Sequence, residues 1–403
     1  MTAQPEHVLI VGAGLGGLRT AEQLRAAGYQ GRISLVGEEV HPPYDRPPLS
    51  KQLLTGDWEA DRVVLRTEEG LAELGVRTHL GLRAVALRPG EVQLADGASL
   101  YADAIVLAPG VVARSLPGQP EQVHTLRTLD DALALRDELA KASCLLVIGA
   151  GFIGGEVATA AIGRGVSVTV LEAGPARAVR GLGTEVAQLA ARLFTEAGVD
   201  LRTGVSVTGF VDPGESGVAV ELVGGERIGA DVGVVGIGGR LDLDWLADTG
   251  VDVSAGLPCD SRGRVEGLER VWAVGDAATW ADEDGERHRQ EHWTSATDQA
   301  AVVARDILGA QLPPPAVPYV WSDQFGLKIQ VIGRPDKAEQ VVPLHGAGFD
   351  GGPVKGTVAG YFAGDRVVAV AGFGAARYIA RYRPLVAERA DRAAVERTRE
   401  ALS

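Results

Sequence analysis

Two glycine-rich turns in this 403-residue chain have the spacing to do chemistry. Residues 8–17 read VLIVGAGLGG and residues 145–154 read LLVIGAGFIG. Gly12, Gly14 and Gly17, then Gly149, Gly151 and Gly154, thus repeat one G-x-G-x-x-G pattern. Each follows a run of aliphatic residues suited to a strand buried on both faces. In such a turn the first glycine permits the tight bend, the second lets the backbone approach a pyrophosphate, and the third lets a helix pack on the strand. The free amides at the helix start face the anion. One copy is a weak sign; two copies imply two dinucleotides.

Carboxylates follow each turn at the distance a ribose requires. Leu15, Leu18, Ala21 and Leu24 predict a helix that Gly28 ends, and Arg32–Val36 predicts the next strand. That strand delivers Glu38 about 20 residues past Gly17, where a carboxylate can accept from both ribose hydroxyls. Glu39 competes for the same task. In the second unit a strand over 145–148, a helix from 153 to 164 and a strand over 166–171 place Glu172 equivalently. A carboxylate there repels the extra phosphate of NADP and favours NADH, whereas Arg177 and Arg180 nearby are what a 2′-phosphate would use. Glu156, just after Gly154, has two readings: a carboxylate serving the helix dipole, or a partner for Lys51 beside a nicotinamide.

Residues 41–51, HPPYDRPPLSK, form an irregular loop stiffened by four prolines. Arg46 can pair with pyrophosphate oxygens and Lys51 can set a cation beside a flavin ring; the alternative for each is a solvated surface charge. Residues 81–102 predict short hairpin strands turning at Pro89-Gly90 and Asp96-Gly97, and 104–110 a buried strand ending in glycine. The strand VWAVGD delivers Asp276, which can bond a ribityl hydroxyl. Glu291, His292 and Trp293 precede a helix over 295–308, and the lone His292 reads as structural. Cys144 and Cys259 form no C-x-x-C pair and cannot ligate a cluster. They read as a small buried hydrophobe and a loop thiol, so electrons handled here must sit on an organic cofactor.

The bulk properties bound the rest. Two or three domains are expected, and 46% hydrophobic residues with 54 glycines describe an α/β protein rich in tight turns. No apolar run reaches membrane-spanning length and MTAQPEH is no signal peptide, which predicts a soluble cytoplasmic protein. A net charge of −14 argues against nucleic-acid binding. Residues 311–318, with four prolines, read as a linker. Beyond it come a strand over 328–332, a hairpin over 357–372 turning at Gly364-Asp365, and helices. This third, α+β domain holds 12 Lys plus Arg against 9 Asp plus Glu over 316–403, a net +3, leaving −17 on the remainder.

Taken together, the two glycine turns, RPPLSK, VGD, EHW and WSDQFGLKIQVIG resemble the bacterial FAD-dependent, NADH-dependent ferredoxin reductases, relatives of putidaredoxin and rhodocoxin reductases. The resemblance spans nearly the whole chain. It implies the glutathione-reductase type of α/β fold: two Rossmann-like dinucleotide-binding domains plus a C-terminal α+β domain. The FAD-binding domain would take 1–115 and 244–315, the NAD-binding domain 116–243, and the C-terminal domain 316–403. It implies FAD contacts at Gly12, Ala13, Gly14, Gly17, Glu38, Arg46, Lys51, Arg127, Asp276 and Trp293. It implies NAD contacts at Gly149, Gly151, Gly154, Glu156 and Glu172, with Trp321 beside the isoalloxazine. Lys51, Glu156 and Trp321 would tune and bound the ring.

The implied reaction passes a hydride from NADH to FAD and then single electrons to a two-iron ferredoxin. That ferredoxin would feed a cytochrome monooxygenase or a ring-hydroxylating dioxygenase. Ala108-Pro109-Gly110 stands where the family has A-T-G, and Gly239-Arg240-Leu241-Asp242 departs from its usual stretch; both bear on the nicotinamide pocket. Disulfide reductases and NADH oxidases need a cysteine beside the flavin, and residues 41–51 have none. A rival from another class is a slow, NADH-sensing flavoprotein resembling apoptosis-inducing factor. For docking an acidic ferredoxin the less acidic third domain is the candidate, with Arg377 and Arg381 four apart on a predicted helix; an ordinary solvated helix face is the alternative.

Overall fold

The computed structural model describes residues 4–174, 182–214, 217–282 and 285–402. Arg177 and Arg180 lie outside the described residues. The chain divides into two compact units: one of residues up to Asp45, Asp61–Val112 and Arg240–Ala316, the other of Arg46–Ala60, Ala113–Gly239 and Val317 onward. Among the described residues no helix is long and apolar enough to cross a membrane.

The first unit is built on a five-stranded parallel sheet in the order Val271–Ala273, Ala104–Leu107, His7–Val11, Arg32–Val36, Val76–His79. The central strand is apolar throughout because both its faces are covered. Val8 and Ile10 pack against Leu18, Ala21 and Leu24 of helix Leu15–Ala26 and against Val303, Ala304 and Ile307 of helix Trp293–Ile307. Leu9 and Val11 turn the other way, onto Leu87, Val92 and Leu94 of an antiparallel meander. The period of two in a strand makes this division automatic.

Strand Val271–Ala273 is distant in sequence from its neighbours and has a polar latch. Trp272 Nε1 donates to Asp306 Oδ2 at 2.9 Å, and Arg264 and Arg262 close on the same carboxylate at 2.7 and 3.1 Å. Burial works to raise the Asp306 pKa, but these hydrogen bonds outweigh it and hold the carboxyl below its ordinary range.

In the second unit the parallel sheet runs Asp200–Thr203, Ser167–Glu172, Cys144–Ile148, Val232–Val235, Val123–His124; four strands repeat the order of the first sheet, whereas the edge strand Val123–His124 precedes its cradle strand in sequence and Val271–Ala273 comes last in its own. It too carries a three-stranded antiparallel meander, Val207–Phe210, Val218–Leu222 and Arg227–Ala230. The C-terminal part of this unit is a five-stranded antiparallel sheet ordered Tyr319–Gln324, Leu327–Gly333, Arg366–Phe373, Val358–Ala363, Gln340–His345, with helices Ala376–Ala387 and Arg392–Ala401.

Most expected strands and both cradle helices form within a residue or two of the predicted ends, as hydrogen-bond fraying permits, but strands Ala104–Leu107 and Val271–Ala273 each stop three residues short of the expected Gly110 and Asp276. Three other features differ. Residues 47–55 are not wholly irregular: Pro47–Ser50 makes a 3₁₀ turn, favoured by proline's fixed φ at its start, and Gln52–Thr55 a helical turn. Cys259 is no loop thiol but the buried end of strand Leu257–Cys259, where burial pushes its thiol up to about 12. Helix Thr184–Glu196 was not anticipated, although its apolar face packs in the core.

Candidate functional site

Each glycine turn is fixed by the backbone it touches. Gly12 has φ +114°, and a Cβ there would lie 2.0 Å from the Ala108 carbonyl oxygen; at Gly17 it would lie 1.9 Å from Gly12 O. The second cradle repeats this. Gly149 has φ +106° with Gly236 O at 2.4 Å from a Cβ, and Gly154 would meet Gly149 O at 2.0 Å. Gly14 is the exception in the first turn, with nothing within 4 Å, and Gly151 in the second meets only Gly236 O at 4.0 Å. At these two positions glycine clears space for something other than protein.

The helix starts give the same answer. Helices Leu15–Ala26 and Phe152–Gly163 are capped by Gly14 and Gly151, with no side-chain cap and no acid in the first turn. Their leading amides are left for an anion. Both cradles therefore fit the pyrophosphate of a dinucleotide, the group that FAD and NADH share.

The acids after the two second strands are not equivalent. Gly12 N–H donates to Val36 O at 2.8 Å and Gly149 N–H to Leu171 O at 2.7 Å, which aligns Val36 with Leu171. Glu172 follows Leu171 directly and turns back, accepting from Ala150 N–H at 3.0 Å and Gly174 N–H at 2.8 Å. The matching residue in the first unit is Gly37, where a Cβ would lie 2.5 Å from that of Ala13. The acid is displaced by one residue to Glu38, exposed and 3.5 Å from Arg83. Glu39 is engaged by the Tyr44 hydroxyl, which leaves Glu38 the carboxylate open to a ligand in the first unit.

Also in the first unit, Gly16 packs on Val274 and Ala296, bringing the strand end that carries Asp276 and the helix that starts at Trp293 against the first cradle. Trp293 Nε1 donates to Asp45 Oδ1 at 2.7 Å, and Arg19 lies 5.8 Å from the centre of its ring. Gly275 N–H donates to the buried Gln299 at 2.7 Å, which anchors the backbone beside Asp276. His292 is half-buried and its pKa is lowered by desolvation, in keeping with a structural imidazole.

Arg46, Lys51 and Arg127 belong to the second unit. Arg46 donates to the Arg127 carbonyl at 2.5 Å, and Arg127 leads into helix Leu129–Leu139, whose start is closed by a Thr128–Asp131 capping box. Lys51 Nζ lies 2.8 Å from Glu156 Oε2, with side chains 13% and 4% exposed, so this is a buried pair. Glu156 is the fifth residue of its helix, a full turn past the start. That removes the helix-dipole reading, since the effect fades within the first turn.

Two further hydroxyls converge on Glu156: Ser50 Oγ on Oε2, and Ser322 Oγ on Oε1 at 2.5 Å. The sequence reading missed both, although Ser50 adjoins Lys51 and Ser322 adjoins Trp321. Trp321 stacks on Tyr319 with ring centres 5.6 Å apart, and Lys328 Nζ lies 5.9 Å from the indole centre.

Residues 6–300 match the family described as Pyridine nucleotide-disulphide oxidoreductase, and residues 319–401 match Reductase C-terminal. The chain is 39% identical over 332 residues to the benzene 1,2-dioxygenase system ferredoxin–NAD(+) reductase subunit of Pseudomonas putida, covering 81% of this chain and 80% of that one. It is 33% identical to putidaredoxin reductase of Pseudomonas putida, over 91% of this chain and 88% of the relative. Among solved structures, the covalent putidaredoxin reductase–putidaredoxin complex superposes with a TM-score of 0.89 at 31% identity, covering 95% of this chain and 93% of that one.

Proposed function

We infer the activity from one premise: the chain belongs to the pyridine nucleotide-disulphide oxidoreductase family and carries its reductase C-terminal domain. It is an FAD-dependent NADH:ferredoxin oxidoreductase. The observation that carries this reading is the pair of open, uncapped glycine cradles, each on the central strand of a five-stranded parallel sheet. FAD, when bound, would supply the redox chemistry that links two-electron hydride delivery from NADH to a one-electron iron–sulfur acceptor. Despite the family's title, no disulfide step is available: the chain's two cysteines share no motif, and the Cys259 thiol is pushed up to about 12.

On this reading the residues take the following roles. The first cradle, Gly12, Ala13, Gly14 and Gly17, holds the FAD pyrophosphate, Glu38 its adenosine ribose, and Asp276 its ribityl chain. Trp293, Arg46 and Arg127 complete the FAD contacts. Gly149, Gly151, Gly154 and Glu172 hold NADH. Lys51, neutralised by Glu156, supplies a fixed buried ammonium to the flavin side, and Trp321 offers an aromatic face to the ring. The same assignment gives the domains: FAD on 1–115 and 244–315, NAD on 116–243, and partner recognition on 316–403. An NADH-consuming enzyme of this kind works in the cytoplasm, where that coenzyme is supplied.

The acceptor is a two-iron ferredoxin serving an oxygenase, and it docks on the C-terminal domain. Charge supports this, since 316–403 carry a net +3 within a chain of −14. Arg377 and Arg381 stand exposed on helix Ala376–Ala387, and Lys355, Arg377 and Tyr378 border a hollow of about 550 Å³.

The deciding experiment mixes the flavin-loaded protein with NADH under anaerobic conditions, then adds a two-iron ferredoxin and a cytochrome acceptor. Fast flavin bleaching and ferredoxin-dependent cytochrome reduction are expected. A long-lived NADH complex without turnover would instead establish the sensor resembling apoptosis-inducing factor.

A further inference from the structure

Glu156 is held by more donors than an ion pair requires. Oε2 receives Lys51 Nζ at 2.8 Å and the Ser50 hydroxyl, while Oε1 receives Ser322 Oγ at 2.5 Å and the Asp323 N–H at 3.4 Å. Ser322 is fully buried, and its oxygen accepts from Gln324 Nε2 at 3.0 Å. With that side of the hydroxyl filled, its proton is directed onto Glu156.

The same strand is fastened at its tip. Gln324 lies over Gly155, where a Cβ would come within 2.5 Å of it, and Phe325 N–H donates to Thr159 Oγ1 at 3.0 Å. Phe325 holds φ +49°, a conformation a bulky residue rarely takes, with its ring 5.0 Å from Phe194. Ser322 and Gln324 therefore face helix Phe152–Gly163, and the alternation of the strand sends Trp321 out from the opposite face.

We propose that Ser322 is a positioning residue for flavin reduction, its one hydroxyl fixing both the carboxylate that holds the Lys51 ammonium and the strand from which Trp321 projects. This rests on the reading above that Lys51 and Trp321 flank the flavin. The coupling is physical: a carboxylate freed on Oε1 can rotate, and rotation takes Oε2 off Lys51.

The test uses the flavin-loaded enzyme with Ser322→Ala, Ser322→Thr, Lys51→Gln and the Ser322→Ala/Lys51→Gln double variant. Ser322→Ala is expected to slow flavin reduction by NADH about tenfold, the scale of one hydrogen bond to a charge, with KM changed less than about twofold. It should shift the flavin midpoint potential in the same direction as Lys51→Gln, add nothing further in the double variant, and be rescued to within about threefold by Ser322→Thr.

A second cycle, Ser322→Ala with Glu156→Gln, reads thermal stability alone and is expected to be non-additive. An additive stability cycle overturns the clamp and leaves the Lys51 reading standing. A coupled stability cycle with a potential indifferent to Lys51→Gln overturns the placement of Lys51 at the flavin, and the proposal with it. A Ser322→Ala variant that only melts earlier, with unchanged potential and rate, shows mere packing and overturns the proposal.

Discussion

The two glycine cradles share a turn and part company where the second strand passes into its loop. In the second unit Glu172 ends that strand and accepts from the Ala150 N–H inside the cradle. In the first the same place is Gly37, closed to any side chain by Ala13, and the acid stands one residue on at Glu38. The helices diverge as well: seven residues past the first glycine lies Arg19, paired with Glu22 at 2.6 Å, in one unit and the buried Glu156 in the other. One backbone solution to pyrophosphate binding thus tolerates two different arrangements around it, because the phosphate is read by amides and the ribose by side chains.

Gly12→Ala against Gly149→Ala is the strongest way to break the comparison. Each forces a Cβ onto a carbonyl oxygen at positive φ, a cost of about 3 kcal/mol or more. Gly12→Ala should give colourless or poorly folded protein, whereas Gly149→Ala should keep its flavin spectrum and lose bleaching by NADH. Equal loss of flavin in both would erase the proposed division of labour. Gly14→Ala and Gly151→Ala, in open space, should fold normally and lose only nucleotide affinity.

Asp306 distinguishes the units by stability. Asp306→Asn removes a buried acceptor from Trp272 and two arginines and should cost the holoenzyme about 2–3 kcal/mol in urea melts at pH 7. Because hydrogen bonds hold the native carboxyl below its usual range, its contribution is complete above the ordinary carboxylate pKa. It is lost as pH falls through the depressed native value. The gap between variant and wild type should therefore narrow in acid, and a gap that widened would contradict this account.

Glu172→Gln should raise KM for NADH about tenfold and narrow the preference over NADPH, since one charged acceptor is lost and a phosphate is no longer repelled. Unchanged selectivity would place the determinant elsewhere. The smallest effect concerns the partner. Reversing charge at Arg377 and Arg381 should raise KM for ferredoxin about threefold at low salt and vanish at high ionic strength. No change in the salt dependence would remove the docking proposal.

How far the site was legible depended on distance along the chain. Gly12, Gly14, Gly17 and their second copies were readable because positive φ at the first glycine, open space at the second and close backbone packing at the third are local requirements. Glu172 and Glu38 followed from counting, although counting did not show that Ala13 closes the position before Glu38. The Lys51–Glu156 pair was one of two open readings. Ser50 and Ser322 went unseen because serines beside striking residues carry no periodic signal of their own. Arg127 came only from the family resemblance; its local sequence gives no reason to choose it.

By itself, then, the sequence determined that there would be two dinucleotide cradles, each on an apolar parallel strand, since glycine geometry and strand burial are written within about 20 residues. Tertiary structure decided what surrounds the Glu156 carboxylate, gathering Ser50 and Ser322 from 106 and 166 residues away. A buried charge must be satisfied by whatever donors packing brings near, and packing answers to the whole chain rather than to any stretch of it.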